Sequence, residues 1–317
     1  MSELLKRIDA RTKLAGSNKL EMLLFSLGKD ERTGREETFG INVFKVREVM
    51  RIPEITHAPD MPPSVEGMVS LRGALVPVVD LIKYVGLQNP KPPEIMVVTE
   101  YNGRTQGFLV ESVDTILRID WSAMKVPPDM LTMQMGGLIT AVTELKDGRI
   151  VMMMDVEKIL AETSGYADES ALASLKPLSV ENRTIFFADD SMVARKQIQK
   201  TLDALGVKYV FSTNGKEAWE ELQKIASRAD VLNQRVYDFI QLVLTDVEMP
   251  EMDGYVLTRN IKGDPRFAGI PVIMHSSLSS DANAQLGKSV GVDDYVPKFE
   301  PHKLAGVLSR LLVAEPQ

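Results

Sequence analysis

Residues Leu244–Tyr255 read LTDVEMPEMDGY and continue a mainly apolar run that begins at Phe239. An apolar run of this length, without regular alternation, is typical of a strand buried on both faces of a parallel sheet. Asp246 follows directly at the end of that strand. Because open α/β sheets bind ligands at the carboxyl ends of their strands, Asp246 is a candidate site residue.

Strand-like and helix-like segments alternate around this motif, from about residue 182 to residue 317. Helical spacing of apolar residues occurs over Ser191–Leu205 and Lys216–Ile225. The predicted strands are Ile185–Ala188, Tyr209–Ser212, Phe239–Leu244, Pro271–Met274 and Tyr295–Val296. This succession of βα units predicts a doubly wound, five-stranded parallel sheet of the flavodoxin-like type.

Polar residues follow four of these strands: Asp189 and Asp190, then Asp246, Ser276 and Lys298. The ends of parallel strands converge on one edge of the sheet, so the three carboxylates should meet there. Carboxylates at such a short separation repel one another and need a cation. Mg²⁺ is a hard cation that prefers oxygen ligands and therefore fits this set. Lys298 would add a positive point charge, and Ser276 a hydroxyl.

This set predicts that Asp246 acts as a nucleophile toward a phosphoryl group and forms a transient acyl phosphate. The metal and Lys298 would neutralise charge on the phosphoryl oxygens. Each residue also has a simpler interpretation. Asp190 or Ser191 would cap a helix, Asp253-Gly254 would form a turn, and Lys298 would lie on the surface. The joint occurrence at successive strand ends favours the phosphoacceptor site.

This half resembles the response-regulator receiver family over about residues 183–314. The motifs that carry the resemblance are FFADDS (Phe186–Ser191), LTDVEMPEMDGY (Leu244–Tyr255), PVIMHSS (Pro271–Ser277) and YVPK (Tyr295–Lys298). The resemblance implies that Asp189, Asp190 and Asp246 hold Mg²⁺, with the backbone carbonyl of Glu248 as a further ligand. The Glu248 side chain is expected to tune the lifetime of the acyl phosphate, in a direction that the sequence leaves open.

The same resemblance implies a switch next to the acceptor Asp246. Ser276 is expected to bond the phosphoryl oxygen, and the position of Tyr295 is expected to follow it. Lys298 completes the catalytic set. One residue departs from the family pattern. Receivers usually have a proline after the lysine, joined to it by a cis peptide bond, whereas Phe299 follows Lys298 in this sequence. A non-proline cis bond costs about 2.5–4 kcal/mol, so the peptide geometry after Lys298 stays open.

The first half has the period of strands instead. Leu23, Phe25 and Leu27 alternate with other residues. Asn102-Gly103 and Asp147-Gly148 supply the positive φ angles of tight hairpins, and frequent prolines break long helices. The pattern predicts an all-β barrel or sandwich that serves as a binding module.

This half is similar to the CheW-like chemotaxis coupling domain over about residues 18–163. The matching stretches are Phe39–Met50, Val65–Leu81, Gly107–Ile119 and Leu138–Leu160. The resemblance implies a double SH3-like barrel that bridges chemoreceptor cytoplasmic tips and the chemotaxis histidine kinase. Val46, Glu48, Arg72 and Gly73 match the family's contact surface. An exposed turn arginine is a plausible interface anchor, and a solvated turn arginine is the simpler interpretation of Arg72.

Composition narrows the remaining classes of function. The net charge is −7, and acidic residues outnumber basic ones in both halves, which argues against a nucleic-acid binder. The absence of cysteine excludes disulfides and thiolate metal sites. Met1–Asp9 is too poor in apolar residues for a signal peptide, and no apolar run approaches the roughly 18 residues of a membrane span. We expect a cytoplasmic protein without direct membrane insertion.

Together the halves resemble CheV-type chemotaxis coupling proteins. The predicted order is a tail (1–17), a CheW-like coupling domain (18–163), a linker (164–181) and a receiver domain (182–317). The resemblance implies an adaptor in receptor arrays at the inner membrane, whose coupling is modulated by phosphorylation at Asp246 in signal adaptation. The alternative is a phosphate sink that drains the kinase.

Two other output classes lack their sequence signatures. A transcription regulator would need a basic helix-turn-helix, and a receptor methylesterase would need a G-x-S-x-G nucleophile elbow. Neither occurs in the sequence. We therefore expect no enzymatic output beyond the receiver's own phosphoryl transfer from phosphohistidine and its own dephosphorylation.

Overall fold

The computed structural model describes residues 19–57, 59–88, 91–101, 103–163, 169–178, 182–277 and 287–313. The predicted tail (1–17), Asn102 and the two ends of the predicted linker lie outside the described residues. The chain divides into two compact units, one over Leu20–Ile119 and Met124–Tyr166 and the other including the chain from Ala167. The predicted limits at residues 17, 163 and 181 stay predictions.

The first unit is mainly β-structure. Its strands are β1 (Lys19–Lys29), β2 (Glu36–Asn42), β3 (Val46–Arg51), β4 (Val65–Leu71), β5 (Ala74–Asp80), β6 (Ile95–Tyr101), β7 (Arg104–Val110), β8 (Ser112–Asp120), β9 (Ile139–Glu144) and β10 (Ile150–Met154). Its helices are α1 (Leu81–Val85), α2 (Asp129–Gln134) and α3 (Val156–Thr163). The strands form two five-stranded sheets, ordered β8-β1-β2-β10-β9 and β3-β6-β7-β5-β4. These two sheets confirm the predicted all-β class.

The alternating apolar residues of β1 face the core, as their period predicts. Leu23, Phe25 and Leu27 are buried together with Phe39 and Ile41 of β2. Antiparallel pairing places Phe25 opposite Phe39, and their rings stack with centroids 5.9 Å apart. Aromatic pairs across an antiparallel ladder stabilise the register of a sheet.

Tight hairpins join several of these strands. Tyr101 pairs with Arg104, which leaves a two-residue loop with Gly103 at φ 68°. Leu71 pairs with Ala74, and the intervening Arg72 and Gly73 have φ values of 51° and 85°. Positive φ at both central residues defines the type I′ turn, whose twist matches that of the flanking strands. Arg72 therefore lies at the tip of a tight hairpin.

The second unit is an α/β fold. Its strands are β11 (Thr184–Ala188), β12 (Lys208–Ser212), β13 (Leu242–Thr245), β14 (Val272–Ser276) and β15 (Asp294–Pro297). Its helices are α4 (Glu169–Ala173), α5 (Met192–Leu205), α6 (Gly215–Leu232), α7 (Gly254–Gly263) and α8 (Pro301–Val313). The strand order is β12-β11-β13-β14-β15, and each neighbouring pair is parallel. The predicted flavodoxin-like sheet is confirmed.

Successive residues of the central strands point to opposite faces of this sheet, and each face has its own core. Phe186 and Val243 pack with residues of α6 and α7 on one face. Ile185 and Leu244 pack with residues of α5 and α8 on the other. Burial on both faces explains the apolar runs in the sequence.

Two elements differ from their predicted limits. Strand β13 begins at Leu242 rather than Phe239, because a 3₁₀ turn over Val236–Asp238 precedes it. Helix α6 extends to Leu232, beyond the predicted end at Ile225. Its last turns continue the buried face with Ala226 and Ala229, small residues that give a weaker periodic signal than large apolar ones.

Part of the predicted linker packs on the second unit. We call residues 171–178 the connector. Leu175 and Leu178 pack against the core formed by α5 and α8, and the Leu178 amide donates a hydrogen bond to the Leu205 carbonyl at 2.9 Å. Ser174 Oγ lies 3.0 Å from His302 Nε2 of α8. The connector is thus anchored to two helices of this unit.

Candidate active site

The register of the parallel sheet brings the predicted strand-end residues together. Ala188 at the end of β11 pairs with Thr245 at the end of β13, so Asp189 and Asp246 leave the sheet side by side. The Asp246 amide donates a hydrogen bond to the Ala188 carbonyl at 2.8 Å, which continues the pairing by one step. Both acids thus emerge at the carboxyl edge, as predicted.

Three carboxylates converge at this edge. Asp189, Asp190 and Asp246 each contribute an oxygen atom, and these atoms lie within 4.8 Å of one another. Asp189 is fully buried, and Asp246 is 4% exposed. Buried carboxylates at this separation repel one another strongly and require compensating positive charge.

Lys298 supplies part of that charge. Its Nζ lies 3.0 Å from Asp189 Oδ2 and 3.0 Å from Asp246 Oδ2. The lysine is only 2% exposed, so the predicted alternative of a surface lysine is wrong. A single ammonium group is thus shared between two of the three carboxylates.

The donor set fits a divalent cation such as Mg²⁺. Mg²⁺ prefers oxygen ligands, is held by a few carboxylates and keeps several waters, and these three carboxylates present such ligands in one place. Asp189, Asp190 and Asp246 would hold the ion. The Glu248 carbonyl as a further ligand stays a prediction, and the structure places the Glu248 side chain in a buried position two residues beyond Asp246.

Helix α5 resolves the two possible roles of the adjacent polar residues. Ser191 is the N-cap, and its Oγ accepts a hydrogen bond from the Ala194 amide at 3.3 Å. The Ser191 amide in turn donates to Asp189 Oδ1 at 2.9 Å. Ser191 therefore caps the helix, and the Asp190 carboxylate lies in the cluster.

The loop that carries Asp246 is held closely against the start of α7. Asp246 Oδ1 accepts a hydrogen bond from the Val247 amide at 2.7 Å, and the Gly254 amide donates to the Val247 carbonyl. A Cβ atom at Gly254 would lie 2.0 Å from the Asp246 carbonyl oxygen, so only glycine allows this approach. Asp253 caps α7 through a 2.7 Å bond from the Val256 amide. The predicted turn at Asp253-Gly254 is therefore a helix start.

The two predicted switch residues contact each other. Burial raises the pKa of the Tyr295 hydroxyl, while a hydrogen bond with the Ser276 side chain acts in the opposite direction. The charges of Asp246 and Glu248 also raise this pKa. Ser276 is buried, and its carbonyl accepts a hydrogen bond from the Lys298 amide at 3.1 Å. Ser276 thus links Tyr295 to Lys298.

The backbone after Lys298 takes a form that the sequence left open. No cis peptide bond occurs in the described part of the chain, and Phe299 adopts a left-handed conformation with φ 60°. For a residue other than glycine this conformation costs roughly 1–3 kcal/mol. A proline, restricted to φ near −65°, cannot adopt it. The departure from the receiver pattern therefore accompanies a different local backbone.

The predicted coupling residues group only in part. Arg72 Nη2 donates to Glu48 Oε2 at 3.0 Å, and the Arg72 side chain is 71% exposed. Gly73 completes the same turn. Val46, by contrast, is half-buried and packs against the core. The structure thus gathers Arg72, Gly73 and Glu48 at the surface and turns Val46 inward.

Comparisons with known proteins agree with this architecture. The CheW-like domain model matches residues 21–164, and the response regulator receiver domain model matches residues 185–308. Chemotaxis protein CheV3 of Helicobacter pylori is 30% identical over 301 residues, which cover 93% of this chain and 95% of that protein. The chain belongs to the CheV family of chemotaxis proteins. Chemotaxis protein CheV1 of the same organism is 29% identical over an alignment that covers 98% of this chain and 99% of that protein.

The CheW-like half has its own relatives. Chemotaxis protein CheW of Klebsiella aerogenes is 27% identical over 153 residues, which cover 47% of this CheV-family chain and 87% of that protein.

Among the described residues, no helix has both the length and the apolar character required to cross a bilayer.

Proposed function

We propose that this CheV-family chain is a chemotaxis adaptor that couples chemoreceptors to the chemotaxis histidine kinase, and that phosphorylation of Asp246 modulates the coupling. The observation that carries the proposal is the buried contact of Lys298 Nζ with Asp189 and Asp246, each at 3.0 Å, beside a third carboxylate. The convergence of three carboxylates and one buried lysine at the carboxyl edge of a parallel sheet favours a phosphoacceptor site.

The chemistry assigned to the chain's own residues is limited. An Asp246 carboxylate oxygen forms a P–O bond while the P–N bond of phosphohistidine breaks and its electron pair returns to the imidazole ring. Lys298 pairs with a phosphoryl oxygen as a point charge, and the Ser276 hydroxyl donates to another. Bound Mg²⁺ would supply further neutralisation of the phosphoryl oxygens.

The surface proposed for coupling lies on the hairpin of β4 and β5. Arg72 stands at its tip, and Leu75 on the next strand is 71% exposed. Arginine is among the residue types enriched at the hot spots of protein interfaces, and the exposed leucine adds apolar surface to the same hairpin. We propose receptor tips and the kinase as its partners, which would place the adaptor at receptor arrays on the inner membrane.

The acceptor assignment is tested by labelling. The full chain is incubated with a radiolabelled small phosphodonor and Mg²⁺, and the expected result is an acid-stable, base-labile label. Asp246→Asn keeps the size of the side chain and should abolish the label, whereas Asp230→Asn on the surface of α6 should leave it intact. A label that survives Asp246→Asn contradicts the assignment.

Modulation and the phosphate sink are separated by beryllofluoride, which occupies a phosphoacceptor carboxylate and so prevents drainage of phosphoryl groups. Kinase autophosphorylation is measured in reconstituted receptor arrays that contain the adaptor. A modulator should change the rate when beryllofluoride is added, and Asp246→Asn should cancel the change. A rate insensitive to beryllofluoride, together with rapid loss of phosphokinase to the untreated adaptor, would instead establish the sink.

A further inference from the structure

Tyr255 is a buried tyrosine whose hydroxyl the site described so far does not use. It lies in the first turn of α7 and is 3% exposed. Its ring packs with Val247 and Met274. The hydroxyl has no hydrogen-bond partner within the part of the chain that the structure describes. Because a buried hydroxyl without a partner is destabilising, phenylalanine would satisfy the packing better, and packing alone does not explain tyrosine here.

The surroundings of this hydroxyl point toward the switch. Tyr295 packs against the same small cluster as Tyr255. Burial raises the pKa of the Tyr255 hydroxyl, and the next contributions come from Tyr295, Asp253, Glu248 and Asp246 in that order. The two tyrosines therefore share one small apolar cluster, and the phenol of Tyr255 senses the charge of the carboxylates around Asp246.

The hydrogen bonds available to Tyr295 change when the acceptor is phosphorylated. In this structure its hydroxyl is bonded to Ser276. A phosphoryl group on Asp246 would engage the Ser276 hydroxyl, as the proposed function requires. Tyr295, which is largely buried, would then lose that partner, and a second hydroxyl within reach would restore it.

We propose that the Tyr255 hydroxyl is the alternative hydrogen-bond partner of Tyr295, engaged when Ser276 turns to a phosphoryl group on Asp246. The inference rests on the proposed phosphoacceptor function. Before phosphorylation Ser276 bonds Tyr295, and the Tyr255 hydroxyl has no partner within the described ranges. Afterwards Ser276 bonds the phosphoryl group, and the two tyrosines pair. Tyr255 therefore acts as a positioning residue that destabilises the first state and stabilises the second.

The test uses the full chain with Mg²⁺ and beryllofluoride as the probe. Tyr255→Phe removes only the hydroxyl. Its loss should leave the thermal stability of the unbound protein unchanged or higher, and should weaken beryllofluoride binding about tenfold, or about 1.4 kcal/mol. A merely structural tyrosine would change stability and leave the affinity alone. Tyr237→Phe is the matched control, since it removes the hydroxyl that accepts from Arg183 at 3.2 Å, and it should lower stability without changing the affinity.

A double-mutant cycle with Tyr295→Phe tests the pairing itself. If the two hydroxyls bond only in the bound state, Tyr255→Phe should weaken binding no further in the Tyr295→Phe background. An affinity of Tyr255→Phe within twofold of wild type, additive effects in the cycle, or a lower stability of unbound Tyr255→Phe would each overturn the proposal. Failure of the wild type to bind beryllofluoride would instead overturn the phosphoacceptor function on which it rests.

Discussion

At the scale of single residues, the active-site loop contains a carboxyl group whose environment opposes its charge. Burial raises the pKa of Asp253 to about 6, although the hydrogen bonds from the Val256 and Tyr255 amides act in the opposite direction. The pKa of an aspartate in an unfolded chain is about 3.9. The ionised Asp253 side chain therefore lowers the free energy of unfolding, and this destabilisation depends on pH.

Replacing Asp253 with asparagine should remove the destabilisation caused by the buried negative charge. Between pH of about 4 and 6 the native state binds more protons than the unfolded state, so the stability contributed by this group falls as pH rises and stays reduced above pH 6. Two pKa units correspond to roughly 3 kcal/mol. Asparagine caps a helix as well as aspartate. We expect Asp253→Asn to match wild type near pH 4 and to be more stable at pH 7.5.

Urea unfolding at the two pH values provides the measurement. Asp293→Asn, a change to a carboxylate that is half exposed and pairs with Lys262, serves as the control and should not reproduce the gain at pH 7.5. A difference between Asp253→Asn and wild type that does not change with pH would contradict the expectation.

Residue patterns predicted which side chains follow the strand ends, but they did not predict the backbone conformation beside them. Asp189, Asp246, Ser276 and Lys298 follow strands whose apolar runs are local signals, and the parallel register brought them to one edge. The left-handed conformation of Phe299 had no such signal. It depends on the whole path of the chain between β15 and α8, which no short pattern encodes.

At the scale of elements, the connector is the part of the predicted linker that packs on the receiver. Its composition predicted a linker, yet Leu175 and Leu178 pack on the core between α5 and α8, and the Leu178 amide is bonded to Leu205. A connector anchored to receiver helices would transmit their movements to the chain that precedes it.

Leu178→Ala should release the connector from the receiver. Loss of a half-buried leucine should destabilise the docked state by about 1–2 kcal/mol, less than the 2–5 kcal/mol of a fully buried site. Amide hydrogen exchange should therefore accelerate at least fivefold at residue 178 while the amides of β13 keep their protection. Lys176→Ala, at an exposed position between the two leucines, is the control. Unchanged exchange in Leu178→Ala would show that the leucine does not hold the connector.

At the scale of the whole molecule, the chain contains two sets of cores, each drawn from one unit. Leu23, Phe39 and Val97 belong to a core of the first unit. Phe186 and Val243 belong to a core of the second. A unit with its own core is expected to unfold as a cooperative transition of its own.

Scanning calorimetry of the full chain should therefore resolve two transitions. Beryllofluoride with Mg²⁺ should raise the transition temperature of the receiver only. At a ligand concentration of a hundred times the dissociation constant, its free energy of unfolding should increase by about 2.7 kcal/mol. The Asp246→Asn protein should show no shift. A single transition that moves as a whole with the ligand would mean that the two units unfold together.

The sequence alone determined the two fold classes, the order of the strand ends and the residues of the carboxylate cluster, because the periods of strands and helices are properties of neighbouring residues. The tertiary structure decided which side chains meet across long stretches of chain. Arg72 pairs with Glu48, 24 residues away. Ser276 bonds Tyr295, and among the described residues the Tyr255 hydroxyl has no hydrogen-bond partner. Such contacts depend on register, packing and turn geometry at once, and no local pattern records that combination.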